Sequence, residues 1–285
     1  MTPVSVRALR NRSEGSLELS LVADDPATIA GRFLAARRAA AGLDAFPGEF
    51  PETLDDAYRI QDEAIAAWGR PVLGWKVGRI NPPLSDRFGV DRLAGPIFAE
   101  RRAPAARTAE MPVFAEGFAA GEAEFLLRIG EAPDPAKTDY SMEDAARLID
   151  AVYVGIEVAS SPLASINALG PLAVISDFGN NNGLLVGAEV PDWRSSGFED
   201  WDVALLIDGI ETGRGTARAF ANGAIGSAAF LFELMARRGI ALRPGQWISS
   251  GAVGGVHDAR VGQTIEARFG SLPPVCCRLV AAQPE

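Results

Sequence analysis

Two glutamates one residue apart, Glu122 and Glu124, lie inside the apolar run AGEAEFLLRIG. If this run is a β-strand, both carboxylates point to the same face, because side chains alternate along a strand. Their Cα atoms would lie about 7 Å apart at a rise of ~3.3 Å per residue. Like charges this close on a half-buried surface are unfavourable unless a cation lies between them. The pair therefore indicates a site for a hard divalent cation.

A third acidic residue, Glu157, lies in the run AVYVGIEVAS, whose β-branched residues predict a second strand that pairs with the first. Carboxylates converging from two strands would suit Mg²⁺ or Mn²⁺. The alternative is that Glu122 and Glu124 belong to the solvated face of a strand, or that the acids bind Ca²⁺ or Mg²⁺ for stability alone. Apolar residues on both faces of the strand beyond Glu124 favour a pair that enters a cleft.

Lys76 lies in VLGWKVGRI, an apolar run that also predicts a strand. A lysine in such a run either reaches the surface through its long stem or is paired inside a cleft. The carboxylates predicted nearby favour a paired lysine, which could hold a substrate oxygen or transfer a proton.

Four further residues are candidates for contacts with a substrate. Asp91, in RFGVDRLAGPIF, is either a cap or turn residue or a base. Asn182 belongs to the run NNNG, which could supply amide donors or tolerate a left-handed backbone. Ser250 and the backbone of Gly251 open a glycine-rich loop after a predicted strand and could bind an oxyanion.

Arg79 and Arg92 have two interpretations. Each could anchor a distal carboxylate of a substrate, or each could belong to a surface ion pair, which is the common situation for arginine.

Composition limits the classes of partner. The chain has 285 residues, 48% of them hydrophobic, with a formal net charge of -10 and one histidine. Such a charge argues against nucleic acid and anionic membranes as partners. The adjacent Cys276 and Cys277 cannot build a disulfide framework or a zinc site, and no run approaches the ~18 apolar residues of a membrane span. We therefore expect a cytoplasmic protein.

The order of elements predicts an α+β fold. Asp25 and Pro26 predict the start of a helix that ends at Gly42, Thr53 and Asp56 have the spacing of a capping box, and a long helix is predicted at 223–238. Strands are predicted in VLGWKVG, EAEFLLRI, VYVGIEVA, GLLVGAEV, DVALLIDG, QWISSG, TIEARFG and VCCRLV. We expect a tail at 1–24, an N-terminal helical cap subdomain at 25–105 and a rolled, β-rich catalytic domain at 106–285.

From about residue 51 to the C-terminus, the order of motifs resembles the fumarylacetoacetate hydrolase-like superfamily, in particular its 2-keto-4-pentenoate hydratase and 2-oxo acid decarboxylase branch. The motifs are AYRIQ, GWKVGRINPPLSDRFGVD, GEAEFLLRI, VGIEVASS, ISDFGNNNGLLVG and ISSGAVGGVHDARVGQTIEARFGSL. The resemblance implies a mixed β-roll with flanking helices. It also implies that Glu122, Glu124 and Glu157 bind Mg²⁺ or Mn²⁺ and that Lys76 and Asp91 are the active-site lysine and aspartate.

The activity implied by the resemblance is addition of water to a small 2-hydroxy-2,4-dienoate, which gives a 4-hydroxy-2-oxo acid. The alternatives are decarboxylation of a 2-oxo-3-enedioate of the 4-oxalocrotonate type, or a catalytically silent partner subunit. The branch also implies a homo-oligomer or a complex of hydratase with decarboxylase. The chain departs from the hydratases in FANGAIG, around Asn222, where they carry a proline. With no histidine before His257, hydrolysis of acylpyruvates is disfavoured.

Overall fold

The computed structural model describes residues 25–103 and 108–285, so the predicted tail at 1–24 lies outside the described residues. The α-helices are α1 Pro26–Ala39, α2 Leu54–Trp68, α3 Leu84–Phe88, α4 Met142–Arg147, α5 Ile166–Leu169, α6 Pro171–Ser176 and α7 Gly223–Arg238. Short 3₁₀ segments occupy Phe178–Asn180, Phe198–Asp200 and Ala217–Ala219. No helix in the described ranges is long and apolar enough to cross a membrane.

The strands form two mixed sheets. They are β1 Gly74–Arg79, β2 Arg92–Ile97, β3 Glu100–Arg102, β4 Ala109–Val113, β5 Phe118–Ile129, β6 Ile149–Ser161, β7 Asn181–Glu189, β8 Val203–Ile207, β9 Ile210–Gly215, β10 Trp247–Ser249, β11 Thr264–Phe269 and β12 Val275–Ala281. One sheet has seven strands in the order β2-β1-β10-β5-β6-β7-β3. The other has five strands in the order β4-β12-β11-β8-β9.

The seven-stranded sheet is covered on both faces, because apolar residues alternate along its central strands. Ala123 and Phe125 of β5 belong to a core shared with the five-stranded sheet and α7. Ala120 of β5 belongs to a second core shared with α1, α2 and α6. Strand β5 therefore lies between two hydrophobic layers, and any polar side chain on it must be paired or hold a ligand.

The local signals for helix starts are confirmed, whereas α1 ends at Ala39, where Ala40 takes a left-handed conformation, and not at Gly42. The Asp25 side chain accepts a hydrogen bond from the Thr28 amide at 2.7 Å and caps α1. The Thr53 and Asp56 capping box begins α2, and α7 ends at Gly239, whose φ is 68°. Each of the predicted strand runs overlaps a strand of the structure.

The mixed sheets and helices agree with the expected α+β class. The roll, the cap and the domain division at residue 105 remain predictions. Strands β1, β2 and β3 precede residue 105 yet belong to the same sheet as β5, β6 and β7.

Candidate metal centre

The register of β5 and β6 brings three glutamates together. Glu122 lies directly opposite Glu157 in the antiparallel pair, and Glu124 lies two residues further along β5 on the same face. Each of the three side chains offers an oxygen within 4.8 Å of the others. All three residues are buried, with Glu122 3% exposed and the other two 0% exposed. The predicted convergence of the three carboxylates is confirmed.

The hydrogen bonds of these carboxylates leave oxygens without a donor. Glu124 Oε2 accepts from Ser249 Oγ at 2.5 Å and from the Gly251 amide at 2.9 Å. Glu157 Oε1 accepts from Asn181 Nδ2 at 2.9 Å. Among the described residues, Glu124 Oε1 and Glu157 Oε2 have no hydrogen-bond partner. A buried carboxylate oxygen without a hydrogen-bond donor lowers the stability of the fold. The three glutamates therefore fit a divalent cation such as Mg²⁺ or Mn²⁺, which would satisfy these oxygens.

Lys76 lies beside the glutamates. Its Nζ donates to Asn180 Oδ1 at 3.1 Å, and it forms an ion pair with Glu157 Oε2 at 3.5 Å, which is too long for a hydrogen bond. Space for the lysine stem depends on Gly179, where a Cβ atom would lie 3.0 Å from Lys76 Cδ. The structure therefore places the predicted lysine in the cleft rather than at the surface.

Burial and neighbouring charges both shift the pKa values of these groups. Burial lowers the pKa of Lys76, but the surrounding glutamates, Glu157 foremost, outweigh it and leave the pKa above its usual value. Burial raises the pKa of Glu122 to about 7, and repulsion from Glu157 adds to the effect. Burial followed by repulsion from the other two glutamates also raises the pKa of Glu124 well above its usual range. One lysine thus incompletely neutralises three carboxylates.

Binding of Mg²⁺ is expected to weaken as the pH falls from 8 to 6. A metal ion requires deprotonated carboxylates, and with the pKa of Glu122 at about 7 a proton competes with the metal over this interval. Isothermal titration of Mg²⁺ into the metal-free protein at both pH values measures the effect. The same titration with a variant that lacks a site glutamate is the control, and equal affinity at both pH values would contradict the prediction.

A cavity of about 740 Å³ opens onto this centre. Lys76, Asp91, Glu122, Ser250 and Gly251 line it, so five of the eight candidate residues meet there. Ser250 is buried, and its Oγ has no hydrogen-bond partner among the described residues. The Asp91 side chain is 53% exposed and pairs with Arg92 at 3.0 Å, which places it at the opening of the cavity.

Glu124 and Glu157 are not among the described residues that line this cavity. Asn182 lies elsewhere: it donates to the Pro112 carbonyl at 2.7 Å, accepts from Arg37 at 3.3 Å and lines a second cavity of about 400 Å³. A contact of Asn182 with a substrate, as predicted, would therefore lie outside the main cavity. Its neighbours Asn180 and Asn181 instead hold Lys76 and Glu157. The run NNNG was the only sequence signal for them.

A buried ion pair supports the segment that carries these asparagines. Arg37 of α1 donates to both carboxylate oxygens of Asp177, at 2.5 and 2.9 Å. Asp177 also accepts from Ser161 Oγ at 2.6 Å, and the Arg37 guanidinium stacks 5.1 Å from the ring centroid of Phe178. Helix α1 is thereby joined to the 3₁₀ segment Phe178–Asn180 that leads into β7.

Replacement Arg37→Met is expected to lower the free energy of unfolding by about 3 kcal/mol or more, because it leaves the Asp177 charge buried without its partner. Urea denaturation of the metal-free protein measures the loss. Arg59→Met removes an exposed ion pair with Asp56 on α2 and is the control, for which a much smaller loss is expected. Equal losses in the two variants would contradict this role of Arg37.

The chain is similar to proteins of known activity. No protein-family model matches it. It is 23% identical over 231 residues to the 2-keto-4-pentenoate hydratase of Paraburkholderia xenovorans LB400, a match that covers 79% of this chain and 84% of the hydratase. Its fold matches 4-oxalocrotonate decarboxylase from Pseudomonas putida G7, complexed with magnesium and adipate, with a TM-score of 0.75 and 20% identity over 90% of this chain and 97% of the decarboxylase.

It also matches fumarylpyruvate hydrolase from Pseudomonas aeruginosa in complex with Mn²⁺ and pyruvate, with a TM-score of 0.53 and 18% identity over 73% of this chain and 89% of that enzyme. The chain has the fumarylacetoacetate hydrolase-like fold. The names of the similar hydratase and decarboxylase confirm the resemblance to the hydratase and decarboxylase branch. Metal complexes among these structures agree with the glutamate site of this chain.

Proposed function

We propose that the chain is a metal-dependent hydro-lyase that adds water to a small 2-hydroxy-2,4-dienoate and releases a 4-hydroxy-2-oxo acid. The observation that carries this proposal is the buried group of Glu122, Glu124 and Glu157, with Lys76 beside it at the end of a cavity. The similarity to a curated 2-keto-4-pentenoate hydratase supports it.

The reaction requires two proton movements on carbon. The enol proton leaves the C2 hydroxyl while C5 gains a proton, which gives an unsaturated 2-oxo acid. Water then adds with its oxygen on C4 and a proton on C3. A divalent cation held by the three glutamates would supply Lewis-acid stabilisation of negative charge on the C2 oxygen.

The side chains that line the cavity can take part in these proton transfers. The Lys76 ammonium is held by Asn180 and Glu157, so it can donate a hydrogen bond to a substrate oxygen and then a proton. Asp91 at the opening is the candidate group that accepts a proton. Ser250 lines the cavity, and its buried hydroxyl has no hydrogen-bond partner among the described residues, so it is a candidate donor to the substrate carboxylate.

Decarboxylation of a 2-oxo-3-enedioate is the second candidate function. It requires the same stabilisation of charge on the C2 oxygen, so the glutamate site serves either reaction. The match to 4-oxalocrotonate decarboxylase along 90% of this chain favours it.

An ultraviolet assay of the Mg²⁺-loaded protein separates the candidates. The substrates are 2-hydroxypenta-2,4-dienoate and 2-oxohex-3-enedioate, with carbon dioxide measured in parallel. Loss of dienoate absorbance without carbon dioxide supports the hydratase, and carbon dioxide from the diacid supports the decarboxylase. Turnover must disappear with a chelator and return with Mg²⁺. Absence of turnover with both substrates would contradict both activities and leave the alternative of a catalytically silent partner subunit.

A further inference from the structure

Two arginines face each other where β1 and β2 approach the cavity. In the register of this antiparallel pair, Arg79 is directly opposite Arg92. Like charges in this position destabilise a pair of strands. Burial and then repulsion from Arg92 lower the pKa of Arg79. Both residues line the cavity that opens onto the glutamates.

The charge at this end of the cavity is unbalanced. Apart from Lys76 and Glu122 at the metal centre, the charged residues among the described lining are Arg79, Arg92 and Asp91. Two cations and one anion leave one net positive charge. Asp91 pairs with Arg92, whose side chain is only 12% exposed, so Arg79 is the cation without an acidic partner in this group. One additional carboxylate would neutralise the remaining positive charge.

The arginines also hold the chain that leads into α7. Arg79 Nη2 donates to the Ala219 carbonyl at 3.4 Å, and its guanidinium lies 4.3 Å from the ring centroid of Phe220. Arg92 Nη2 donates to the Ala221 carbonyl at 2.5 Å. The contact of Arg79 with Ala219 is long, and its guanidinium has further donors to offer a ligand.

Phe220 connects the arginines with the metal centre. A Cβ atom on Gly251 would lie 3.8 Å from the Phe220 ring, and the Gly251 amide donates to Glu124. The path from Glu124 to Arg79 therefore passes through Gly251 and Phe220, both of which line the cavity. Arg79 and the glutamate site are therefore connected along one wall of the cavity.

We propose that Arg79, supported by Arg92, recognises a second carboxylate at the far end of the substrate, so that the natural substrate is a dicarboxylic 2-oxo or 2-hydroxydienoic acid. This inference rests on the proposed function, because the 2-oxo acid head must lie at the glutamate site. It assigns substrate specificity to Arg79 and holds whether the reaction is hydration or decarboxylation.

The test compares matched ligands that differ only at the far end. Isothermal titration of the Mg²⁺-loaded protein is carried out with 2-oxoadipate against 2-oxohexanoate, and with 2-oxoglutarate against 2-oxopentanoate. At one chain length or both, the diacid is expected to bind about tenfold more tightly, as for a charge-assisted hydrogen bond in a partly exposed site. Arg79→Gln should remove this preference and leave the affinity for the monoacids unchanged, and Arg79→Lys should restore part of it.

Arg87→Gln is the matched control, because it removes the same charge from an exposed arginine of α3 that is absent from the described cavity lining. Equal binding of diacid and monoacid would overturn the proposal and leave the proposed function intact. An equal loss of affinity for both ligands in Arg79→Gln would also overturn it, since a residue that only holds Phe220 affects both. Absence of binding by every 2-oxo acid would overturn the proposed function together with this inference.

Discussion

Replacement Glu124→Gln is expected to abolish Mg²⁺ binding and to reduce kcat by about 10³-fold or more, because the centre loses one of its three carboxylates. In the metal-free protein the same change should raise the melting temperature. It replaces a carboxyl group, whose ionised form is disfavoured by burial and by repulsion from Glu157 and Glu122, with a neutral amide that can donate toward their oxygens. Calorimetry with a chelator and with Mg²⁺, together with the ultraviolet assay, measures both effects.

Glu110→Gln is the control for this experiment, because Glu110 is an exposed glutamate of β4 outside the group of three. It should keep both the activity and the melting shift on addition of Mg²⁺. If Glu124→Gln retained the Mg²⁺-dependent shift, the glutamates would not be the metal site. A lower melting temperature of this variant in chelator would show that the hydrogen bonds of Glu124 outweigh its repulsion.

Replacement Lys76→Met is expected to reduce kcat by about 10³-fold while Mg²⁺ binding is kept, within the range typical of removing a general acid or base. The buried ammonium pairs with Glu157 at 3.5 Å, and the methionine side chain has a similar length without a donor. Steady-state kinetics at saturating Mg²⁺ and titration of Mg²⁺ measure the two properties separately. Activity within tenfold of the original protein would contradict a role of Lys76 in the reaction.

Lys76→Arg tests whether charge alone is sufficient. The lysine stem runs against Gly179, and a Cβ atom on Gly78 would lie 3.7 Å from Lys76 Nζ, so a planar guanidinium has little room. We expect this variant to remain impaired despite its positive charge. Full activity would indicate that the lysine acts only as a counter-charge to the glutamates and not as a proton carrier.

We propose separable roles for the carboxylates and the arginines. The glutamates and Lys76 occupy the buried end of the cavity, where charge on a substrate oxygen would be stabilised. Arg79 and Arg92 line the other end, where a substrate would be selected. Variants of Lys76 should therefore change kcat, whereas variants of Arg79 should change the affinity for diacids.

Local sequence patterns alone predicted the shared face of two glutamates and several helix ends. Alternation along a strand requires Glu122 and Glu124 to share a face, whatever the strand pairs with. The Thr53 and Asp56 box and the glycine after α7 mark helix ends because capping is a property of neighbouring residues. The sequence therefore predicted the metal site as two carboxylates one residue apart on one strand and a third carboxylate on another apolar strand.

Only the tertiary structure decided which residues complete the centre, because strand order and register depend on contacts between distant segments. The pairing of β5 with β6 sets Glu122 opposite Glu157. The insertion of β10 between β1 and β5 brings Ser249 to Glu124, 125 residues away in sequence. The 3₁₀ segment before β7 supplies Asn180 and the first residue of β7 supplies Asn181, whereas Asn182 contacts Pro112 instead, since neighbouring residues there point in different directions.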